Sequence, residues 1–282
     1  MEVLNNKIDF AVVVSVKNAN PNGDPLNGNR PRQNYEGYGE ISDVCLKRKI
    51  RNRLQDMEES IFVQSDERKT DQFKSLKDRA DSVEELKKAK KGKDKDIEKF
   101  MKVACKQWID VRSFGQIYNF EKGQSVGIRG PVSIHSAYSI HPIDITSMQI
   151  TKSVNNEASE NKDSSTFGEK HRVDFGVYVF YGSVNTQLAE KTDFTRRDAD
   201  KIKESLQTLF ENDSSSARPD GSMEVHKLYW WEHNSKFGQY SSAKVHRSLK
   251  WELKREQPKS IEDVYFYIDD LEGLKVDEYE GN

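Results

Sequence analysis

Ile41-Ser42-Asp43-Val44-Cys45-Leu46-Lys47-Arg48-Lys49-Ile50-Arg51-Asn52-Arg53 joins a core-facing stripe to a dense cluster of cations. Leu46, Ile50, Leu54, Met57 and Ile61 recur at steps of three or four, the spacing that lays side chains on one face of a helix. Ser42 or Asp43 can cap its start. At about 100° per residue, Lys47, Arg48 and Arg51 share an arc of roughly 100° beside the stripe. Packing the stripe on a sheet would present those three cations together, as phosphate-binding groups or as an ordinary solvated face.

Upstream, Ile8 to Val16 alternates Ile8, Phe10, Val12, Val14 and Val16 with residues that are themselves mostly small or apolar. This period of two predicts a central strand covered on both sides. It runs into Asn18 to Arg32, where three prolines, two glycines and five asparagines stop any regular element. Such a loop offers backbone N–H groups and the amides of Asn18, Asn20 and Asn22 beside Gly23, while Arg30 and Arg32 carry charge suited to phosphate.

With these stretches the chain resembles a known family, the Cas-seven backbone subunits of CRISPR Cascade complexes, in their type I-C (Csd-type) branch. The resemblance rests on Asn20-Pro21-Asn22-Gly23-Asp24-Pro25, Asp43 to Asn52, Asp110-Val111-Arg112-Ser113-Phe114-Gly115, Gly130-Pro131-Val132, Lys170-His171 and Glu232-His233-Asn234-Ser235-Lys236, in family order. It implies an α+β, RRM-like (ferredoxin-like) antiparallel sheet that coats a guide RNA. It also implies a thumb at 150–172 reaching over the guide toward the next copy, and RNA near the backbone around Arg129. Partners implied are CRISPR RNA, a target DNA strand, other copies of the chain, and the cap and large subunits of Cas-five and Cas-eight type. Residue chemistry and resemblance together nominate Asn18, Asn20, Asn22, Gly23, Arg30, Arg32, Ser42, Lys47, Arg48, Arg51, Arg129, Lys152, Lys170, His171 and Arg172 as RNA-binding.

Composition agrees with one elaborated domain over 1–282. Charged residues make up 33% and hydrophobic ones 34%, so much of the chain must be surface or excursion. The net charge of −2 hides an asymmetry: without the acidic segment 256–282, which reads as a solvated tail, 43 basic and 38 acidic residues remain. Residues 64–106 read as a helical insertion, with helices joined at Gly92 and Ile97, Phe100, Met101, Ala104 and Trp108 at core spacing, while the lysine run Lys87 to Lys95 reads as a solvated or mobile excursion in preference to a nucleic-acid contact. The glycines around Ile128 and Arg129 suggest close backbone approach to a partner, and Asp110 with Arg112 either an internal ion pair or an RNA contact. Val177 to Tyr181 is the strongest strand signal; the residues before it fail the basic half of the RRM signature, which argues against base stacking there.

The histidines of His135 to Ile143 have no further ligands at suitable spacing, and Cys45 and Cys105 form no CxxC pair, so no metal, cofactor or disulfide framework is expected. Asp163 alone is weak evidence for catalysis, and the expected role is a non-enzymatic scaffold, with an RNA-processing endoribonuclease as the alternative. No run approaches the ~18 apolar residues of a membrane helix, and a cytoplasmic protein is expected.

Overall fold

The computed structural model describes residues 2–90, 96–119, 125–151 and 167–281. In chain order, β1 (Ile8–Ala19) is followed by β2 (Gly23–Asp24), β3 (Arg30–Pro31), β4 (Tyr38–Ile41) and helix α1 (Asp43–Asp56). An excursion then holds α2 (Leu76–Asp81), α3 (Glu84–Lys90), α4 (Ile97–Gln107) and α5 (Ile109–Phe114). Next come β5 (Gly115–Asn119), β6 (Ser125–Arg129), β7 (Val132–Ile134), β8 (Ala137–Pro142), β9 (Ile145–Thr151) and the long β10 (Phe167–Val184). The chain closes with α6 (Thr186–Thr192), α7 (Arg196–Gln207), β11 (Met223–Glu232), α8 (Ser242–His246), β12 (Leu249–Leu253), β13 (Val264–Ile268) and β14 (Val276–Glu280).

The architecture is mixed α+β around a large antiparallel sheet ordered β14-β11-β1-β10-β8-β4, with β7 and β9 also paired to β10. β1 sits at its centre, Val12 lying opposite Phe180 on one side and Leu228 on the other. Its alternation divides the core. Phe10, Val12, Val14 and Val16 pack with Leu46, Ile50 and Leu54 of α1 and Ala199, Ile202 and Leu206 of α7. Ala11 and Val13 join Val177, Val179, Tyr229 and Trp231 against Val245, Leu249 and Val264. Both faces of the sheet are therefore covered, one by helices and the other by C-terminal elements.

Helix α1 forms as its spacing predicts. Ser42 caps it by accepting from the Cys45 N–H at 3.3 Å, and Leu46, Ile50 and Leu54 are fully buried. Each buried aliphatic contributes about 1.5–3 kcal/mol, so Ile50→Ala would cost about 2–5 kcal/mol. The stripe does not continue helically to Ile61 as its spacing suggested. Glu58 adopts φ 62°, which ends the helix, and Ile61 reaches the same core from the loop beyond.

One further expectation is extended and another corrected. The helical insertion adds more than a core-spaced face: Phe62, Leu86, Phe100, Ala104 and Trp108 form a second core with Tyr118, Val126 and Ile128 of the β5–β6 hairpin. Its rings meet edge-on or tilted, Phe100 and Tyr118 at 4.9 Å and Phe62 and Trp108 at 4.6 Å. Ile97 is half exposed, and Gly92 with Lys91, Lys93 and Lys95 lies outside the described residues. The acidic segment is not a solvated tail, since β13 pairs with β12 and β14 pairs with β11. Among the described residues no helix is long and apolar enough to cross a membrane.

Candidate nucleic-acid interface

The loop after β1 is built by its own side chains. Asn18 takes φ 54°, a left-handed turn that asparagine tolerates, as β1 ends. The Asn20 N–H donates to the Ala217 carbonyl at 2.9 Å, and the Asn20 amide donates to the Asn29 carbonyl at 2.6 Å. Asn22 Oδ1 accepts from both the backbone N–H (2.9 Å) and the hydroxyl (2.8 Å) of Ser42, tying the loop to the start of α1. Gly23 lets β2 and β3 close, since a Cβ there would stand 3.0 Å from the Asn29 carbonyl oxygen. Part of the polar equipment expected to face a ligand is therefore spent on shaping the loop.

The far end of the loop reaches β9 and β10. Arg30 Nη1 donates to Ser147 Oγ at 2.7 Å, and Ser147 Oγ lies 2.9 Å from His171 Nδ1, its cross-strand neighbour. Ser147 Oγ accepts from the arginine and can either donate to or accept from Nδ1, so both neutral tautomers of the His171 ring fit the contact. Arg32 lies 3.4 Å from Asp24, and Arg172 Nε 3.7 Å from Asp174. Lys170 is half-buried beside them, and no partner for it is found among the described residues. Buried Asn20 Oδ1, Arg32 Nε, His171 Nε2 and Arg172 Nε lack hydrogen bonds. Carboxylates stand near the last two, but at 3.5 Å (Glu169) and 3.7 Å without hydrogen-bond geometry. Unpaired buried polar groups cost about 1–3 kcal/mol each. Arg30, Ser147 and His171 share one face of the β9–β10 ladder and Arg172 lies on the other, so the unsatisfied polar atoms are spread over the loop and both faces of the base of the arm.

The cations of α1 are differently placed. Lys47 pairs with Asp43 one turn back at 2.9 Å. Arg48 Nη1 donates to the Val63 carbonyl at 2.7 Å, and burial pushes its pKa down, with Arg51 nearby adding to the effect. Arg51 Nε meets Asp110 Oδ2 at 3.1 Å and lies over the Phe114 ring. Buried Asp110 also accepts from the N–H groups of Phe62 (2.7 Å) and Val63 (3.1 Å). Lys49, which the sequence did not single out, is buried against Asp213. Arg129 is exposed at the end of β6. Lys152, Asp163 and most of the expected thumb lie outside the described residues.

Asp110 and Arg112 do not pair with each other as the sequence suggested: Arg112 reaches Asp198 at 2.7 Å. The close approach permitted by Gly130 is to the chain itself, since a Cβ would stand 2.3 Å from the Ser113 carbonyl oxygen. His135 lies between β7 and β8, and buried His141 spends its nitrogens on the Pro142 carbonyl and the Val177 N–H. Among the described residues no three His, Cys, Asp or Glu side chains gather as metal ligands. Ser147, which links Arg30 to His171, carries no sequence signal, being one serine on a largely exposed strand.

Comparison with known proteins gives this geometry a family. A Cas7 from Haloferax volcanii is 28% identical over 228 residues, covering 70% of this chain and 62% of the relative. The chain thus spans less than two thirds of that relative's length. A solved chain described as "CRISPR RNA-guided surveillance complex, pre-nicking" overlaps at TM-score 0.49 and 17% identity, covering 80% of this chain and 75% of that one. Another, "CRISPR RNA-guided surveillance complex", overlaps at TM-score 0.42 and 14% identity, covering 80% and 68%. Overlaps this loose carry no argument. The family model for CRISPR-associated protein Cas7, however, matches residues 6–269, and the chain belongs to that family.

Proposed function

We propose that this chain is a non-catalytic scaffold that binds CRISPR RNA, polymerises along it as a helical filament in a type I-C Cascade complex, and presents it to a target DNA strand. Its partners in this reading are the guide, other copies of the chain, and cap and large subunits of Cas-five and Cas-eight type, in the cytoplasm. The β1-α1-β8-β10-α7-β11 succession, with both helices against one face of the sheet, supports an RRM-like (ferredoxin-like) core.

The observation that carries the proposal is the Arg30–Ser147–His171 chain that ties the loop to the β9–β10 arm, with polar atoms of Asn20, Arg32, His171 and Arg172 left unsatisfied on the loop and the arm. Phosphate-directed groups hold any guide sequence, because such contacts carry no base information. Pairing with the target then supplies specificity. Around this centre, Asn18, Gly23, Lys170 and Lys152 extend the contact surface, Asn22 and Ser42 shape it, and Lys47 and Arg129 lie farther out. Arg48 and Arg51 act from behind, fixing α1. The thumb, 150–172, packs across the guide onto the next copy.

Purification with co-expressed CRISPR RNA, followed by gel analysis of the bound nucleic acid with Mg²⁺, with Mn²⁺ and with chelator, tests the scaffold. Intact, uniformly sized RNA in every condition is the expected result. Shortened RNA, with shortening abolished by Asp163→Ala or His171→Ala, would replace the scaffold with an endoribonuclease. RNA-free protein would leave a filament-forming structural role.

A further inference from the structure

The face of the sheet away from α1 and α7 is covered by α8 and the β12–β13 hairpin, but not completely. Against β10 the cover leaves a cavity of about 350 Å³ lined by Tyr181, His246, Arg247, Leu249, Lys250 and Trp251. Tyr181 and His246 stack with centroids 4.9 Å apart and planes 24° from parallel. Trp251 is 37% exposed, whereas Trp108, Trp230 and Trp231 are at most 4% exposed. Arg247 and Lys250 are both exposed, and the carboxylate paired with Lys250, Asp269, stands 3.9 Å away.

The chemistry of His246 adds a direction. Its Nε2 lies 3.0 Å from the Gly182 carbonyl oxygen, which only accepts, so Nε2 holds the ring proton and Nδ1 is an acceptor. Burial lowers the pKa of this ring, so it stays neutral near pH 7. Aromatic planes, an imidazole acceptor and two cations therefore share one small concavity. Base stacking on aromatics with flanking cations for the backbone is how single strands are held without sequence preference. A phosphorylated peptide would use the cations but leave the planes and Nδ1 idle.

We propose that this cavity is a second site for single-stranded nucleic acid, in which a base stacks on Tyr181 or Trp251 and its phosphates meet Arg247 and Lys250. It is separate from the guide site at Arg30 and His171 and does not depend on that reading. The full-length chain titrated with dT or rU hexamers should show saturable quenching of tryptophan fluorescence. The quenched signal should vanish in Trp251→Phe. It should require roughly tenfold more oligonucleotide in the Arg247→Ala, Lys250→Ala double variant, whose exposed positions spare the fold. Quenching by dT alone would identify a DNA strand as the occupant, and quenching by rU an RNA strand.

The proposal is overturned if neither hexamer quenches, if the double variant titrates like the parent, or if a phosphotyrosyl peptide displaces the hexamer at lower concentration. It is also overturned if Arg30→Ala with Arg172→Ala abolishes the quenching, which would reduce the two sites to one. Loss of co-purified guide RNA in that variant, with Trp251 quenching intact, supports both sites separately.

Discussion

Two groups of cations look alike in the sequence and differ in the fold. Those of α1 are spoken for: Arg51 by Asp110, Arg48 by the Val63 carbonyl, Lys49 by Asp213 and Lys47 by Asp43. Those at the loop and the arm of β10 are less tightly held: Arg32 and Arg172 stand 3.4 and 3.7 Å from Asp24 and Asp174 and each holds a buried Nε without a hydrogen bond, and among the described residues Arg30 is anchored through a neutral serine. What separates structural charge from available charge is a direct hydrogen bond to a carboxylate or carbonyl, and for Arg51 that acceptor lies 59 residues away. A basic cluster therefore marks a helix that needs acids as readily as one that needs phosphate.

The contrast is broken most forcefully at Asp110. Replacing it with alanine strips Arg51 and two backbone N–H groups of their acceptor, so urea unfolding should show a loss of about 3–5 kcal/mol. A loss under about 1 kcal/mol would mean Arg51 is not held internally. At the other group, Arg30→Ala with Arg172→Ala should leave the unfolding midpoint unchanged and weaken binding of unrelated RNA sequences about tenfold. With two phosphate contacts gone, the slope of log K against log salt should flatten by about 1.4. A changed midpoint with unchanged affinity would reverse the assignment.

Acid sharpens the same comparison, because groups built into the fold couple protonation to stability. His141 donates from Nδ1 to the Pro142 carbonyl and accepts at Nε2 from the Val177 N–H, so only the neutral ring fits. Burial lowers its pKa, opposed by the Pro142 contact and the nearby Asp144 charge. The unfolded chain takes up this proton near pH 6.5 and the folded chain resists, so its contribution is complete above about pH 6.5 and lost as pH falls toward the folded value. Between pH 7 and 5, His141→Gln should make the stability profile shallower, read from urea midpoints at each pH. The smallest effect belongs to Lys47→Ala, which removes an i,i+4 pair and should cost about 0.3–0.5 kcal/mol in the same assay.

The frame was legible where periodicity is local. β1 declares itself by apolar residues on both faces, α1 by its three-to-four spacing and Ser42, and α7 by Thr195 three residues before Asp198, a pair that closes a capping box. The core of the excursion was hidden because Phe62, Phe100, Trp108 and Tyr118 come from separate elements and meet only in three dimensions. The last strand was hidden by composition: Asp277, Glu278 and Glu280 belong to a sheet edge, where acids face water and deter pairing with another chain. At the site, Arg30, Arg32, His171 and Arg172 could be nominated from residue chemistry and the family resemblance. Their connection through Ser147 could not, since it depends on strand register.

The central place of β1 also has a cost in time. It is made more than 150 residues before its partners, Val173 to Val184 on one side and Met223 to Glu232 on the other. During synthesis at roughly 5–20 residues per second, this apolar segment waits on the order of ten seconds or more before either neighbour exists. Pairings so distant along the chain also fold slowly once complete. The stretch that organises the finished molecule is thus the one most exposed to aggregation while the ribosome is still at work.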